Sequence, residues 1–191
     1  MKQRPGTLFV ISGPSGVGKG TLVSLILQRL RNISLSVSAT TRAPREGEVD
    51  GVSYHFLSDD EFDAVLSEDG FLEWANVHGM RYGTMKSKVQ ASIDAGCDVL
   101  LEIDVQGAKQ VKEKRPDAVL IFIEPPSFDT LEERLHTRGT EDDAAISRRL
   151  ETARRELTQE NCYDEIIVND DLDVATNQLI AIIEKHRKVE C

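Results

Sequence analysis

Leu8-Phe9-Val10-Ile11-Ser12-Gly13-Pro14-Ser15-Gly16-Val17-Gly18-Lys19-Gly20-Thr21-Leu22-Val23-Ser24-Leu25-Ile26-Leu27 joins an apolar run, a glycine-rich turn closed by Gly-Lys, and an amphipathic stretch. A buried strand running into a helix through such a turn wraps backbone N–H groups around an anion at the helix N-terminus, and nucleotide phosphates fit that cradle. Glycines at 13, 16 and 18 let the backbone take positive φ and approach phosphate oxygens closely, while Lys19 supplies a point charge for the β- and γ-phosphates. Gly13, Pro14, Ser15, Gly16, Val17, Gly18, Lys19, Gly20 and Thr21 are therefore the candidate triphosphate-binding residues. Gly20 stands directly after the lysine, so the hydroxyl usually directed at magnesium must come from Thr21 or be replaced by water.

The rest of the chain fits an enzyme-sized α/β domain. Its 191 residues suffice for one compact unit with a hydrophobic core. With 23 basic against 33 acidic residues and a net charge of −10, a generic nucleic-acid or membrane-surface binder is disfavoured, because either gains from a basic field. Cys97, Cys162 and Cys191 have no paired spacing for zinc or a disulfide framework, which suits free thiols in a reducing compartment. His55, His78, His136 and His186 likewise lack ligand spacing. Met1-Lys2-Gln3-Arg4-Pro5-Gly6 leads straight into the first strand and no apolar run could span a bilayer, so a soluble cytoplasmic protein without a signal peptide is expected.

Periodicity predicts strands at about Thr7–Ser12, Leu35–Ser38, Tyr54–Leu57, Val99–Asp104, Val119–Ile123 and Glu165–Val168. Helices are predicted over Lys19–Arg31, Asp59–Leu66, Met85–Ala95, Ala108–Lys114, Phe128–Arg138, Asp142–Glu160 and Leu172–Lys188, with capping boxes at Ser58-x-x-Glu61 and Thr130-x-x-Glu133. Strands such as Val119-Leu120-Ile121-Phe122-Ile123 lack polar alternation and suit a parallel sheet covered on both faces, so the fold class is a doubly wound α/β sheet. Residues 37–96 read as a β-rich insertion between core segments 5–36 and 97–191, with Phe62, Phe71 and Trp74 as its small core.

Three clusters carry candidate chemistry. Arg42 and Arg45 sit on a loop stiffened by Pro44 and Gly47, where planar guanidinium groups can grip a phosphate bidentately. Glu102 and Asp104, two apart on a predicted strand, should leave the same face near the glycine loop, one serving magnesium and the other a base. Arg134 and Arg138 precede a flexible polar stretch followed by Arg148 and Arg149, which has the character of a lid, at about 139–149, that neutralises a migrating phosphoryl group and excludes water. Tyr54 and Tyr82, beside polar or glycine residues, could donate to a phosphate.

Taken in order, the glycine loop, Ser38-x-Thr40-Thr41-Arg42-x-Pro44-Arg45-x-Gly47-Glu48, Gly51-x-x-Tyr54-x-Phe56, Phe71-Leu72-Glu73-Trp74-Ala75, Tyr82-Gly83-Thr84, Leu101-Glu102-Ile103-Asp104-Val105-Gln106-Gly107, Arg138-Gly139-Thr140 and Val168-Asn169-Asp170-Asp171 strongly resemble guanylate kinases. The resemblance runs from about Gly6 to Lys188 and implies the nucleoside monophosphate kinase fold with a helical lid. It implies transfer of the γ-phosphoryl group of ATP to GMP with magnesium, and leaves dGMP open as a second acceptor. By the same resemblance Arg42, Arg45, Tyr54 and Tyr82 hold the GMP phosphate, and Ser38, Glu73, Thr84 and Asp104 meet guanine, with Glu102 beside them. Lys19, Arg134, Arg138 and Arg149 neutralise the transferred group, and Asn169 approaches the adenine of ATP. The chemistry agrees, since guanine's N1–H and 2-amino group are adjacent donors that carboxylates accept.

Two other classes fit the residues less well. A non-catalytic interaction module on this fold would not need Lys19 and the lid arginines. A GTPase would normally carry Asn-Lys-x-Asp for its base, which this chain lacks. Glu73 with Asp104 favours guanine over the acceptors of related kinases.

Overall fold

The computed structural model describes residues 4–77, 79–137 and 143–187. Its centre is a five-stranded, wholly parallel sheet of β1 (Leu8–Ser12), β2 (Ile33–Leu35), β7 (Asp98–Glu102), β8 (Val119–Glu124) and β9 (Glu165–Val168), in the order β2-β7-β1-β8-β9. The three inner strands are nearly continuous apolar runs because both sheet faces are covered, and their side chains divide between the faces with the period of two that a strand imposes. Phe9, Ile11, Leu100, Ile121 and Ile123 pack toward α1 (Lys19–Arg29) and α7 (Leu172–His186). Leu8, Val10, Val99, Leu101 and Leu120 pack toward α3 (Lys86–Asp94) and α4 (Val105–Lys114). This is the doubly wound α/β sheet expected. The β1–α1 crossover puts the glycine loop at the carboxyl end of the central strand, where such sheets bind ligands.

A second sheet of four strands stands beside it: β3 (Ala39–Thr40), β4 (His55–Phe56), β5 (Phe71–Val77) and β6 (Met80–Met85), in the order β4-β3-β6-β5. The antiparallel β5–β6 pair sets Glu73 opposite Thr84, and a register shift between Phe71 and Glu73 re-aims the strand there. Phe62, on α2 (Asp59–Ser67), stacks on Phe71 with ring centroids 4.3 Å apart, and Trp74 meets Phe62 edge-on at 6.3 Å. These rings form the small core expected for this region. The Ser58–Glu61 capping box is present at the start of α2. Helix α3 lies within residues 37–96 yet buries Val89 and Ile93 in the central sheet's core.

The structure departs from the sequence reading at several local points. The sequence pattern alone does not mark β5 and β6 as strands, because Glu73, Arg81 and Gly83 interrupt their alternation and cross-strand pairing supplies what local pattern lacks. Ser38 is not in a strand: the core strand β2 ends at Leu35 and the insertion's β3 starts at Ala39. The strand predicted to reach Asp104 stops at Glu102, and Asp104 is instead the N-cap of α4, accepting the Gly107 N–H at 2.7 Å. A short carboxylate with β-region backbone satisfies an orphan helix donor better than it extends a strand. The α5 helix (Phe128–Thr137) takes its N-terminal bond from Ser127, whose Oγ accepts the Thr130 N–H at 3.1 Å, in place of the expected Thr130-x-x-Glu133 box.

At the carboxyl end of β8, Glu124 faces Glu160 of the short turn Glu160–Cys162, and burial plus the neighbouring carboxyl push the Glu124 pKa up to about 7. The native pair thus holds a proton that the unfolded chain releases near the ordinary 4.5, so stability falls as pH rises from about 4.5 through 7. Glu124→Gln should raise the Tm at pH 8 and leave it nearly unchanged at pH 4. Thermal melts at the two pH values check this, and an equal shift at both would exclude a shared proton.

Candidate active site

The glycine loop is built to receive an anion. Gly18 caps α1 in the left-handed conformation at φ 97°, with no side-chain cap and no acidic residue in the first turn, so the helix's N-terminal amides are left for a ligand. Lys19 folds over the loop, its Nζ donating to Gly13 O at 2.6 Å and Pro14 O at 3.0 Å. Gly13 has φ 143°, and a Cβ there would lie 2.2 Å from the backbone oxygen of Ile123. Gly13→Ala should therefore cost about 2–4 kcal/mol through strain and displacement of β8. Urea denaturation measures it, and a loss below the scatter of surface substitutions would show that the loop can shift freely.

Asn169 braces the loop from just past the carboxyl end of the edge strand β9. It is 5% exposed, its Nδ2 donates to Val17 O at 2.8 Å, and its backbone oxygen accepts both Nη atoms of Arg134 at 3.1 and 3.0 Å. Both residues line a crevice of about 570 Å³ with Gly16, Gly18, Thr21 and Thr137. Arg134 thus stands beside Asn169 in that crevice. Arg149, on α6 (Asp143–Leu157), donates to the Ser15 hydroxyl of the loop. Arg138 and residues 139–142 of the expected lid lie outside the described residues.

Across the cleft, Ser38, Tyr54, Thr84 and Glu102 line a second cavity of about 150 Å³. The Arg42 guanidinium donates to Glu48 at 2.7 Å and lies 5.3 Å from the Tyr54 ring centroid, with Tyr82 close by. Glu48 and Tyr82 raise the already high Arg42 pKa further, and Arg42 with the Arg45 N–H holds Glu48 below the usual carboxylate range. The rings of Tyr54 and Tyr82 meet edge-on at 6.0 Å. Glu48, a residue the sequence reading did not assign to the site, accepts the Arg45 backbone N–H at 2.7 Å as well and so ties the Arg42 guanidinium to the backbone at Arg45. Its sequence signal is the acid just past Gly47, whose φ of 84° turns the chain back on itself.

Two carboxylates meet at the floor of this side. Glu73, 7% exposed, accepts the Thr84 hydroxyl at 2.6 Å. Burial, followed by the Asp104 charge, raises the Glu73 pKa against the lowering bond from Thr84. A Cβ on Gly107 would lie 3.1 Å from Glu73 Oε2 and 3.5 Å from Asp104 Oδ1, so the two acids converge over that glycine. Glu102 reaches the opposite way: its Oε1 would be 3.5 Å from a Cβ on Gly20. Burial raises its pKa while Lys19 opposes the rise. Glu102 and Thr21 are hard oxygen donors at the junction of the two halves and fit a small divalent cation brought in on phosphates. No group of three or more His, Cys, Asp or Glu able to hold a metal occurs among the described residues, nor does a helix long and apolar enough to cross a membrane.

The guanylate kinase family model matches residues 5–186. A guanylate kinase of Desulfitobacterium hafniense is 49% identical over 183 residues, covering 96% of this chain and 92% of the relative. One from Parasynechococcus marenigrum is 53% identical over 174 residues, covering 91% and 96%. Among solved structures, guanylate kinase from Anaplasma phagocytophilum superposes with a TM-score of 0.74 at 33% identity, covering 100% of this chain and 91% of that one. With a phosphate-cradling loop on one side of its cleft and paired buried carboxylates beneath an arginine–tyrosine cluster on the other, this chain belongs to the guanylate kinase family and is a nucleoside monophosphate kinase.

Proposed function

We propose that the enzyme transfers the γ-phosphoryl group of ATP, bound at Gly13–Thr21, to GMP, bound between the two sheets, giving ADP and GDP. The observation that carries the acceptor assignment is the buried Glu73 carboxylate, bonded to Thr84 and converging with Asp104 over Gly107. Two acceptor groups so placed match the adjacent N1–H and 2-amino donors of guanine and leave adenine, cytosine and uracil with a donor missing.

In this reading Arg42, Arg45, Tyr54 and Tyr82 hold the acceptor phosphate, and Ser38 and Thr84 complete the guanine contacts. Asn169 shapes the adenine crevice, while Lys19, Arg134, Arg138 and Arg149 meet the charge of the transferred group. Magnesium bound to the triphosphate would neutralise its oxygens, and Thr21 and Glu102 are the residues that would hold it. Glu102, lying between the loop and the acceptor cavity, orients the acceptor side. Closing the insertion and lid over the core would bring the separated arginines onto one phosphoryl group and exclude water. The cytoplasm, where ATP and GMP are both available, is the compartment this activity suits.

The test is an acceptor panel: ADP formation from ATP and magnesium with GMP, dGMP, AMP, UMP or CMP. Turnover with GMP exceeding the other bases is expected. No GMP-dependent ADP release would sink the assignment, and equal turnover with AMP would remove Glu73 and Asp104 from guanine recognition.

A further inference from the structure

Strand β5 is an edge of the second sheet, paired to β6 on one side, so alternate N–H and C=O groups of its backbone face away from that sheet. Helix α4 covers them. Gly107, Gln110 and Lys114 stand three and four residues apart and therefore form one stripe along the helix. The Gln110 side-chain amide pairs with both backbone groups of a single β5 residue: its Oε1 accepts the Trp74 N–H at 3.2 Å and its Nε2 donates to Trp74 O at 3.1 Å. One turn on, Lys114 Nζ donates to Phe71 O at 2.7 Å. A carboxamide offers one acceptor and donors side by side, so Gln110 stands in for the neighbouring strand that β5 lacks.

The peptide whose N–H Gln110 holds is the one joining Glu73 to Trp74, and its plane starts at the Glu73 Cα. The other contacts of this strand leave the distance from Glu73 to α4 loosely set. The Glu73–Thr84 bond is internal to the second sheet and moves with it. Leu72 packs in the core it shares with Ala108 and Val111 of α4, but apolar contact is non-directional and tolerates sliding. The two amide bonds are directional. At the start of the same helix Asp104 is the N-cap, and Gly107, one turn before Gln110, is where Glu73 and Asp104 converge. We propose that Gln110 is a positioning residue for base recognition: by fixing the Trp74 peptide on α4 it sets the spacing of Glu73 from Asp104, and with it the preference for guanine over adenine. Gln110 acts through Glu73 and touches no nucleotide itself. A shift of about 1 Å in a recognition group can cost on the order of a hundredfold, so even a partial slip of β5 along α4 is measurable.

This inference rests on Glu73 and Asp104 receiving guanine, and the experiment separates the two. Calorimetric GMP binding, kcat/KM for GMP and for AMP, and the KM for ATP are measured for wild type, Gln110→Met, Gln110→Glu, Glu73→Gln and the double variant of Gln110→Met with Glu73→Gln. Methionine keeps the length of glutamine and neither bond, whereas glutamate keeps an acceptor for the Trp74 N–H and offers no donor to Trp74 O. Both should weaken GMP binding and lower the GMP-to-AMP ratio of kcat/KM by about three- to thirtyfold, with the KM for ATP within about twofold of wild type. In the Glu73→Gln background the loss caused by Gln110→Met should shrink to less than about threefold, because the group it positions is already disabled. A merely structural Gln110 would cost the same factor in both backgrounds and depress GMP and AMP turnover alike. Either result overturns the proposal, as does a wild-type ratio in a variant that thermal melts show to be folded. Should Gln110→Met not fold, Gln110→Glu, which keeps one bond, carries the same tests. Wild type with no preference for GMP over AMP overturns the reading of Glu73 and Asp104 themselves.

Discussion

Lys19→Met is expected to lower kcat by about two to three powers of ten while moving the KM for GMP by less than about threefold, the pattern of a contact made to charge that develops during transfer. In the free enzyme the ammonium donates to Gly13 O and Pro14 O, carbonyls of its own loop that are exchangeable for water at an open cleft. Its value lies in the charge it can deliver to the γ-phosphoryl group once the nucleotide is bound. Methionine keeps most of the side chain's length and none of its charge. Steady-state kinetics with saturating ATP decide the matter, together with a denaturation curve showing that the variant is folded. An unchanged kcat would remove Lys19 from the transfer step and leave it as a loop brace.

Glu73→Gln carries the second large effect. The substitution retains shape but places an amide next to Thr84 and Asp104, so an acceptor becomes in part a donor facing guanine's donors. Unpaired buried polar groups cost about 1–3 kcal/mol each, which predicts a fall in kcat/KM for GMP of on the order of tenfold to several hundredfold. AMP, which already meets mismatched carboxylates, should lose much less. The GMP-to-AMP ratio is therefore the readout, and an unchanged ratio in a folded variant would reduce Glu73 to a strand carboxylate. The same geometry sets a pH dependence. Because burial raises the Glu73 pKa, its acceptor form is lost on acidification at a higher pH than for an ordinary carboxylate. The acid limb of kcat/KM for GMP should accordingly flatten in Glu73→Gln.

Much of this was legible in the residues. The run Leu8–Ser12, the glycines and Lys19 determined a phosphate loop on a buried parallel strand, because buried apolar runs, positive φ and a helix N-terminus are local requirements that few sequences meet. The arginine loop and Glu73 were legible as chemistry, through residue type and through the order of motifs. Their meeting was not. The approach of Glu73 to Asp104 depends on the β5–β6 register and on the start of α4, separated by about thirty residues of chain, and nothing local to either residue encodes it. Asp104 shows the same limit in small. Read as part of a strand, it shares a face with Glu102; as the N-cap of α4 it turns toward Gly107 and Glu73 while Glu102 turns toward Gly20. The role of Glu48 likewise emerged only when Gly47 folded it back onto Arg42 and Arg45. What the sequence by itself determined is the set of groups and the local structures they favour, since propensity, capping and period act over a few residues. Which carboxylate faces which half of the cleft was decided by tertiary structure alone, because packing of the two sheets against α4 outweighs the weaker preferences of any single segment.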